Sequence, residues 1–371
     1  MVETPSLLVT VFAFLLVLGP LVLVHELGHY LVGRLFGVKA DAFSIGFGKE
    51  LVGWTDRRGT RWKLSALPLG GYVQFAGDMN PASAPDPGAD RLSPEERART
   101  FHVKPVWQRA LIVLAGPLTN LVVAVAIFTA FNLAYGKAVA EPVIAGFAPG
   151  STAAAAGLEA GDRIVALDGD AVDSFKQVQE RILPFPGRRI AVLVERGGAR
   201  HVVDVPIATR VERDRFGNEA RIGLIGVMTR GMKVVPVGAL EAVDLAADQT
   251  VGVMRMMVTG IGQIFSGERS VKELGGPIKI AQYSGQQFSL GWLSFVSFAA
   301  LISINLAFIN LLPIPGLDGG HLAFYAAEAV RRRPLGVRSQ EWALRTGLAF
   351  VLALMLFVTV NDIAGLTLFG G

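Results

Sequence analysis

The chain has 371 residues, 51% hydrophobic and 18% charged, with no cysteine and a net charge of +4. The charged share is below the roughly 25% of a soluble domain yet too high for a wholly lipid-buried chain, so spans and water-exposed parts are expected together. Lack of cysteine excludes disulfides, iron–sulfur clusters and thiolate zinc sites, leaving His, Asp and Glu for any metal; no basic stripe suggests nucleic acid.

In chain order, residues 1–36 form the first predicted span. Residues 7–24 are apolar apart from Thr10 and the Gly19-Pro20 pair, and the helical pattern runs on through 25–36. About 20 such residues cross a bilayer. Residues 1–6 carry no Lys or Arg and no small-residue cleavage site follows, so the segment reads as a retained span, not a signal peptide. Residues 37–109 lie between spans. They include LSALPLGGYVQFA (64–76), which reads as a β-hairpin, and a Pro-, Ala- and Asp-rich stretch at 78–94 that reads as a flexible loop. A second span occupies 110–135.

Residues 136–230 change character to short strands with Gly turns. A short helix is expected at 151–157, a strand at 163–167, a helix capped by Ser174 at 174–183, and a hairpin around Gly197-Gly198. The run PGSTAAAAGLEAGDRI resembles a bacterial PDZ domain. That resemblance implies a peptide groove between 143–147 and 174–183, with the domain either reading chain ends or excluding bulky substrates. Residues 231–290 form a helical linker, amphipathic over 240–265. The third span, 291–321, is broken at Pro313 and carries LDG. Residues 322–371 hold a basic loop and a fourth span at 342–363.

Lys and Arg near the span ends predict the orientation. Arg34, Lys39, Arg97, Arg99, Lys104 and Arg109 flank spans one and two, and Arg331, Arg332, Arg333, Arg338 and Arg345 lie between spans three and four. These loops are expected in the cytoplasm. Both termini and residues 136–230 are then expected outside.

The chemistry concentrates in HELGH at 25–29. On a helix, His25 and His29 lie one turn apart on one face and reach one metal ion, with Glu26 as the base for its water. Ionisable groups deep in an apolar helix are costly and point to function. Two His leave a catalytic zinc one protein ligand short. NLLPIPGLDGGH (310–321) breaks a span with two prolines and three glycines. Asp318 is there either as the third ligand or as a cap of the following helix, and His321 is a competing ligand. Asn120, in GPLTN (116–120), suits a helix–helix hydrogen bond or a catalytic part.

Together, HELGH, FSIGFG (43–48), GGYVQFAGD (70–78), GPLTN and NLLPIPGLDGGH resemble the bacterial site-2 proteases of the regulator-of-sigma-E type, nearly end to end. The resemblance implies a polytopic α-helical membrane protein with about four spans, a membrane-associated β-hairpin and one extracytoplasmic PDZ domain. It implies Zn2+ held by His25, His29 and Asp318, with Glu26 catalytic and Asn310 holding the substrate backbone. It also implies that the hairpin dips into the membrane, where Gly70, Gly71 and Tyr72 offer a strand edge to an extended substrate. The expected activity is regulated intramembrane proteolysis in the bacterial inner membrane. The expected substrates are single-pass proteins, such as an anti-sigma factor after a first cut, or signal-peptide remnants. Two rival readings are a membrane-anchored PDZ scaffold without catalysis and a zinc transporter. An intact Glu26 argues against the first, and a single buried site argues against the second.

Overall fold

The computed structural model describes residues 5–77, 93–213, 219–231, 233–268, 271, 275–333 and 336–365. The chain divides into two compact units: 1–128, 246–254 and 275–360 in the first; 129–245, 255–274 and 361–371 in the second.

The first unit begins with α1 (Leu7–Leu35), started by the Ser6 hydroxyl accepting from the Val9 N–H. Strands β1 (Ala40–Thr55) and β2 (Arg61–Phe75) follow. Residues 64–76, expected as a hairpin, do not pair with one another: 64–75 belong to the single strand β2, which pairs with β1. Residues 42–45 pair with 71–74 along one edge and with 61–64 along the other, while 52–55 pair with 61–64. Both strands therefore bend, giving four strand segments in the order 50–55, 61–65, 42–45, 71–75. The bend in β1 falls at Gly46 and Gly48, both at positive φ. At Gly46 a Cβ would stand 2.6 Å from the Leu67 carbonyl oxygen, so the bend needs glycine there. This is the physical content of the FSIGFG motif. Of the expected loop at 78–94, residues 78–92 lie outside the described residues, and 94–98 form the short helix α2 (Pro94–Ala98).

Helix α3 (Val106–Tyr135) contains Pro117 and leads into the second unit. There, β3 (Lys137–Val139) pairs with β12 (Lys233–Val235), β4 (Ile144–Phe147) with β11 (Val227–Thr229), and β9 (Ala208–Arg213) with β10 (Glu219–Leu224). A four-stranded antiparallel sheet has the order β6 (Asp170–Ala171), β5 (Arg163–Leu167), β7 (Arg189–Arg196), β8 (Ala199–Pro206). Helices α4 (Thr152–Ala155) and α5 (Phe175–Ile182) complete it, and Ser174 caps α5 by accepting from Gln177 at 3.3 Å. Gly197 and Gly198, at φ +58° and +84°, turn the β7–β8 hairpin as expected. Alternating apolar residues of these strands, among them Ile164, Val192, Val194 and Val205, close a core with Ile144 and Val178. Each such buried side chain contributes about 1.5–3 kcal/mol. The expected groove beside 143–147 is corrected: β11 pairs along that strand, and Val143 bridges Arg163. Among the described residues, the open edge of this pair belongs to β11.

Helices α6 (Ala239–Phe265), α7 (Pro277–Ser289), α8 (Trp292–Leu311), α9 (Asp318–Arg331) and α10 (Val337–Gly365) finish the chain. α8 stops before Pro313, where the break was expected, and Asp318 begins α9, which runs to Arg331 into the stretch expected as a basic loop from 322. Gly319 and Gly320 let the first turn of α9 lie directly on the carbonyls of Leu311, Leu312 and Ile314, where any Cβ would collide. Among the described residues, four helical stretches are long and apolar enough to cross a membrane: Leu7–Leu35, Val106–Tyr135, Trp292–Leu311 and Gln340–Ile363. Only 6% of the apolar window of the last is buried, so it presents hydrocarbon outward nearly all round, which suits lipid rather than water.

Two clusters hold the first unit. Ala13, Val17 and Leu21 of α1 pack on Phe295 and Ile302 of α8. Tyr30, Phe43, Phe75, Phe101, Ile112 and Tyr325 join α1, the sheet, α3 and α9. Beside the second cluster, Arg109 forms a buried ion pair with Glu328 at 2.8 Å and lies 4.8 Å over the Tyr325 ring, tying α9 to the start of α3.

Candidate metal centre

The HELGH turn of α1 lies against α3. At Gly28 a Cβ would stand 2.6 Å from the Ala115 carbonyl oxygen, so glycine permits the approach. One face of α3 then serves both histidines, through Ile112, Gly116 and Asn120, each one turn from the next. The Ile112 carbonyl accepts from His29 Nδ1 at 2.9 Å. A carbonyl can only accept, so Nδ1 carries the proton and Nε2 keeps its lone pair. The Asn120 amide lies 3.3 Å from His25 Nδ1, and Asn120 is fully buried. Its side-chain oxygen has no partner while its backbone oxygen takes the Ser303 hydroxyl at 2.7 Å. Turning the amide over gives that oxygen the His25 Nδ1–H and frees Nε2 in the same way.

Both Nε2 atoms converge, 3.3 Å apart, on Asp318. Asp318 Oδ2 lies 3.2 Å from His25 Nε2 and 3.6 Å from His29 Nε2. Although buried, that oxygen makes no hydrogen bond. A buried anionic oxygen with no donor is costly, as are two lone pairs aimed at it; a shared cation satisfies all three. The spacing fits, because a tetrahedral ion with bonds of about 2.0–2.2 Å separates its ligands by about 3.3–3.5 Å. Gly116 floors the cradle: a Cβ there would collide with His29 Nε2 and stand 2.9 Å from His25 Nε2. His25, His29 and Asp318 are also the one His/Asp/Glu group among the described residues with metal-binding spacing.

Glu26 is buried on the sheet side of the same turn. The Val73 backbone N–H lies beside its carboxylate. At Gly71 a Cβ would stand 2.9 Å from Glu26 Cγ, so the 71–75 edge touches the expected base. Gly70, at φ +98°, lies under the Phe47 ring, and Tyr72 stacks on Phe47 at 5.9 Å while its hydroxyl takes the Lys63 ammonium at 2.8 Å. Asn310 stands half-buried in the last turn of α8. No hydrogen bond ties its side chain to the triad among the described residues. His321 turns toward Phe324 and Tyr325 and stays out of the metal-spaced group. Ile112 and Gly116 carry no chemistry as residue types; the legible signal was Gly and Asn at i and i+4 in an apolar span.

The chain is similar to known metalloproteases. The peptidase family M50 model matches residues 13–354. Proteins of Agrobacterium fabrum and Rhizobium meliloti, each named as a candidate zinc metalloprotease, are 46% identical over 359 and 361 residues. Those alignments cover 95% of this chain and 95% and 96% of theirs. The metalloprotease MmpA of Caulobacter vibrioides is 37% identical over 386 residues, 96% of each chain. A solved PDZ domain of an SdrC-like protein from Listeria monocytogenes aligns with 25% of this chain and 92% of its own, at 22% identity and a TM-score of 0.19. The chain belongs to peptidase family M50, the site-2 protease family.

Proposed function

We propose that this protein is an intramembrane zinc endopeptidase that cuts the membrane-spanning segments of single-pass proteins. One observation carries the reading: His25 and His29, on a helix apolar enough to span a bilayer, converge with Asp318 beside Glu26. Proteolysis there needs a water and a base kept apart from lipid. When bound, zinc supplies a water acidified to a pKa of about 7 and polarises the scissile carbonyl. His25 and His29 hold their ring tautomers through Asn120 and Ile112. Glu26 takes the proton of the attacking water and passes it to the leaving amine. The 71–75 strand edge and Tyr72 hold the substrate extended, so that its scissile carbonyl is exposed, and Asn310 steadies the substrate backbone.

Residues 136–230 serve as a PDZ domain outside the cytoplasm, with both termini on the same side of the bacterial inner membrane. The substrates are then proteins already trimmed outside, an anti-sigma factor or a signal-peptide remnant. The test is cleavage of a single-span reporter by purified protein after chelation and after zinc is restored, with the cut mapped by mass spectrometry. Zinc-dependent cutting within the span is expected. Cutting confined to the water-exposed flanks, or indifferent to zinc, would reject the proposal.

A further inference from the structure

We propose that a cavity between α1 and the sheet is a specificity pocket for a bulky apolar side chain, Leu or Phe, of the peptide being cut. This rests on the protease reading above and adds what the site selects. The cavity has a volume of about 310 Å3. Its α1 wall is Leu15, Gly19 and Val22, which share one helix face, and Ile45, Leu64 and Gly70 close it from the sheet.

Position makes it part of the site. Val22 lies one helical turn before Glu26, and at Gly71 a Cβ would stand 2.9 Å from Glu26 Cγ and 3.0 Å from Val22 Cγ1. A wall residue of the pocket, the 71–75 strand and the base are therefore neighbours. A substrate laid along that edge sends alternate side chains to the same face, so one residue near the scissile bond, or two spaced by one, reaches the cavity.

Chemistry decides what enters. Ser65 is the one polar side chain of the lining, and its hydroxyl is already paired with that of Ser44 at 3.0 Å. A polar side chain entering would find no partner, whereas an apolar one would pack against the lining. Size points the same way: a cavity of about 150 Å3 holds one benzene ring. This pocket has about twice that volume, enough for a phenyl or leucyl group with a neighbouring side chain. Gly19 keeps it open. A Cβ there meets nothing within 4 Å, so a larger residue at this position would fill the space rather than disturb the helix.

The experiment starts from the mapped cut in a single-span reporter. Each residue within about four positions of the cut is replaced by Ala, Leu, Phe or Asn, and kcat/KM is measured in detergent with wild type, Gly19→Val and Leu64→Ala. At one position, or at two spaced by one, Leu and Phe should exceed Ala by about tenfold or more and Asn by a wider margin. Gly19→Val should compress the Leu-to-Ala ratio to within about threefold, and Leu64→Ala should shift preference toward Phe. No apolar preference at any position would overturn the proposal. So would a preference that Gly19→Val leaves intact in protein that still binds zinc. If Gly19→Val fails to fold, as loss of zinc would reveal, an unchanged Leu-to-Phe ratio in Leu64→Ala overturns it instead. If zinc-loaded wild type cuts none of the reporters, the protease reading itself fails.

Discussion

Gly116 and Asn120, one turn apart on α3, show how two residues without metal chemistry of their own shape a metal site. The first removes a side chain where the imidazoles converge; the second meets His25 Nδ1 at 3.3 Å. Asn120→Ala should weaken zinc binding about 10–100-fold, measured by competition with a chromogenic chelator, and Asn120→Asp should restore most of it because a carboxylate also accepts the Nδ1–H. Unchanged affinity in Asn120→Ala would remove it from the site. Asp318→Ala should lose metal, while His321→Ala, whose ring lies by Phe324 and Tyr325, should keep it. Metal analysis of the two purified variants decides between them, and the reverse pattern would reject the ligand set. The HELGH pair was legible in the sequence because helical spacing alone places both imidazoles on one face. Asn120 was legible only as a polar residue in a span, since the helix face it meets depends on how α1 and α3 pack.

At the scale of elements, glycines locate what the sequence left open. Residues 64–76 were expected as a hairpin, but β1 and β2 bend into four strand segments and 64–75 pair with β1 rather than with one another. Gly46 and Gly48 signal the bend, yet the alternation of a strand cannot say that residues 42–45 pair on both edges. The Pro- and Gly-rich run at 310–321 read as a helix break with Asp318 as a possible cap of the next helix, and its Gly319-Gly320 pair lets α9 start against the carbonyls of Leu311 and Leu312. In the second unit, the fully buried Asp162 carboxylate pairs with Arg196 at 2.6 Å. The Arg196 guanidinium and then the Glu159 N–H hold the Asp162 carboxyl below its ordinary value. A depressed carboxyl stabilises the fold above its unfolded pKa of about 3.9, and this contribution is lost as pH falls through the lower folded value. Amide protection factors of β5 and β7 in the full-length protein, corrected for the intrinsic pH dependence of exchange, should therefore fall as pH drops below about 4. Arg196→Ala should exchange faster near neutral pH and show a smaller step below it. An identical step in that variant would contradict the assignment.

Across the whole molecule, the four apolar stretches fell within a few residues of the helices found, because length and hydropathy suffice to locate them. What the sequence could not supply was the approach of residues near 25, 73, 116 and 318, which depends on packing between distant elements. The basic residues Arg331, Arg332 and Arg333 follow α8 and precede α10, and the charge rule is the basis for the proposal that they face the cytoplasm. Reporter fusions after Arg333 should report cytoplasm, and fusions after Asp204 should report the opposite side. A cytoplasmic result at Asp204 would invert the proposed topology.

The central claim is that Glu26 acts as the base beside a metal it does not hold. The most direct test pairs bound zinc with cleavage of a single-span reporter for wild type and Glu26→Gln. Glu26→Gln should retain zinc, because His25, His29 and Asp318 remain, and lose about 100-fold or more in kcat. Near wild-type turnover in zinc-loaded Glu26→Gln would contradict the account.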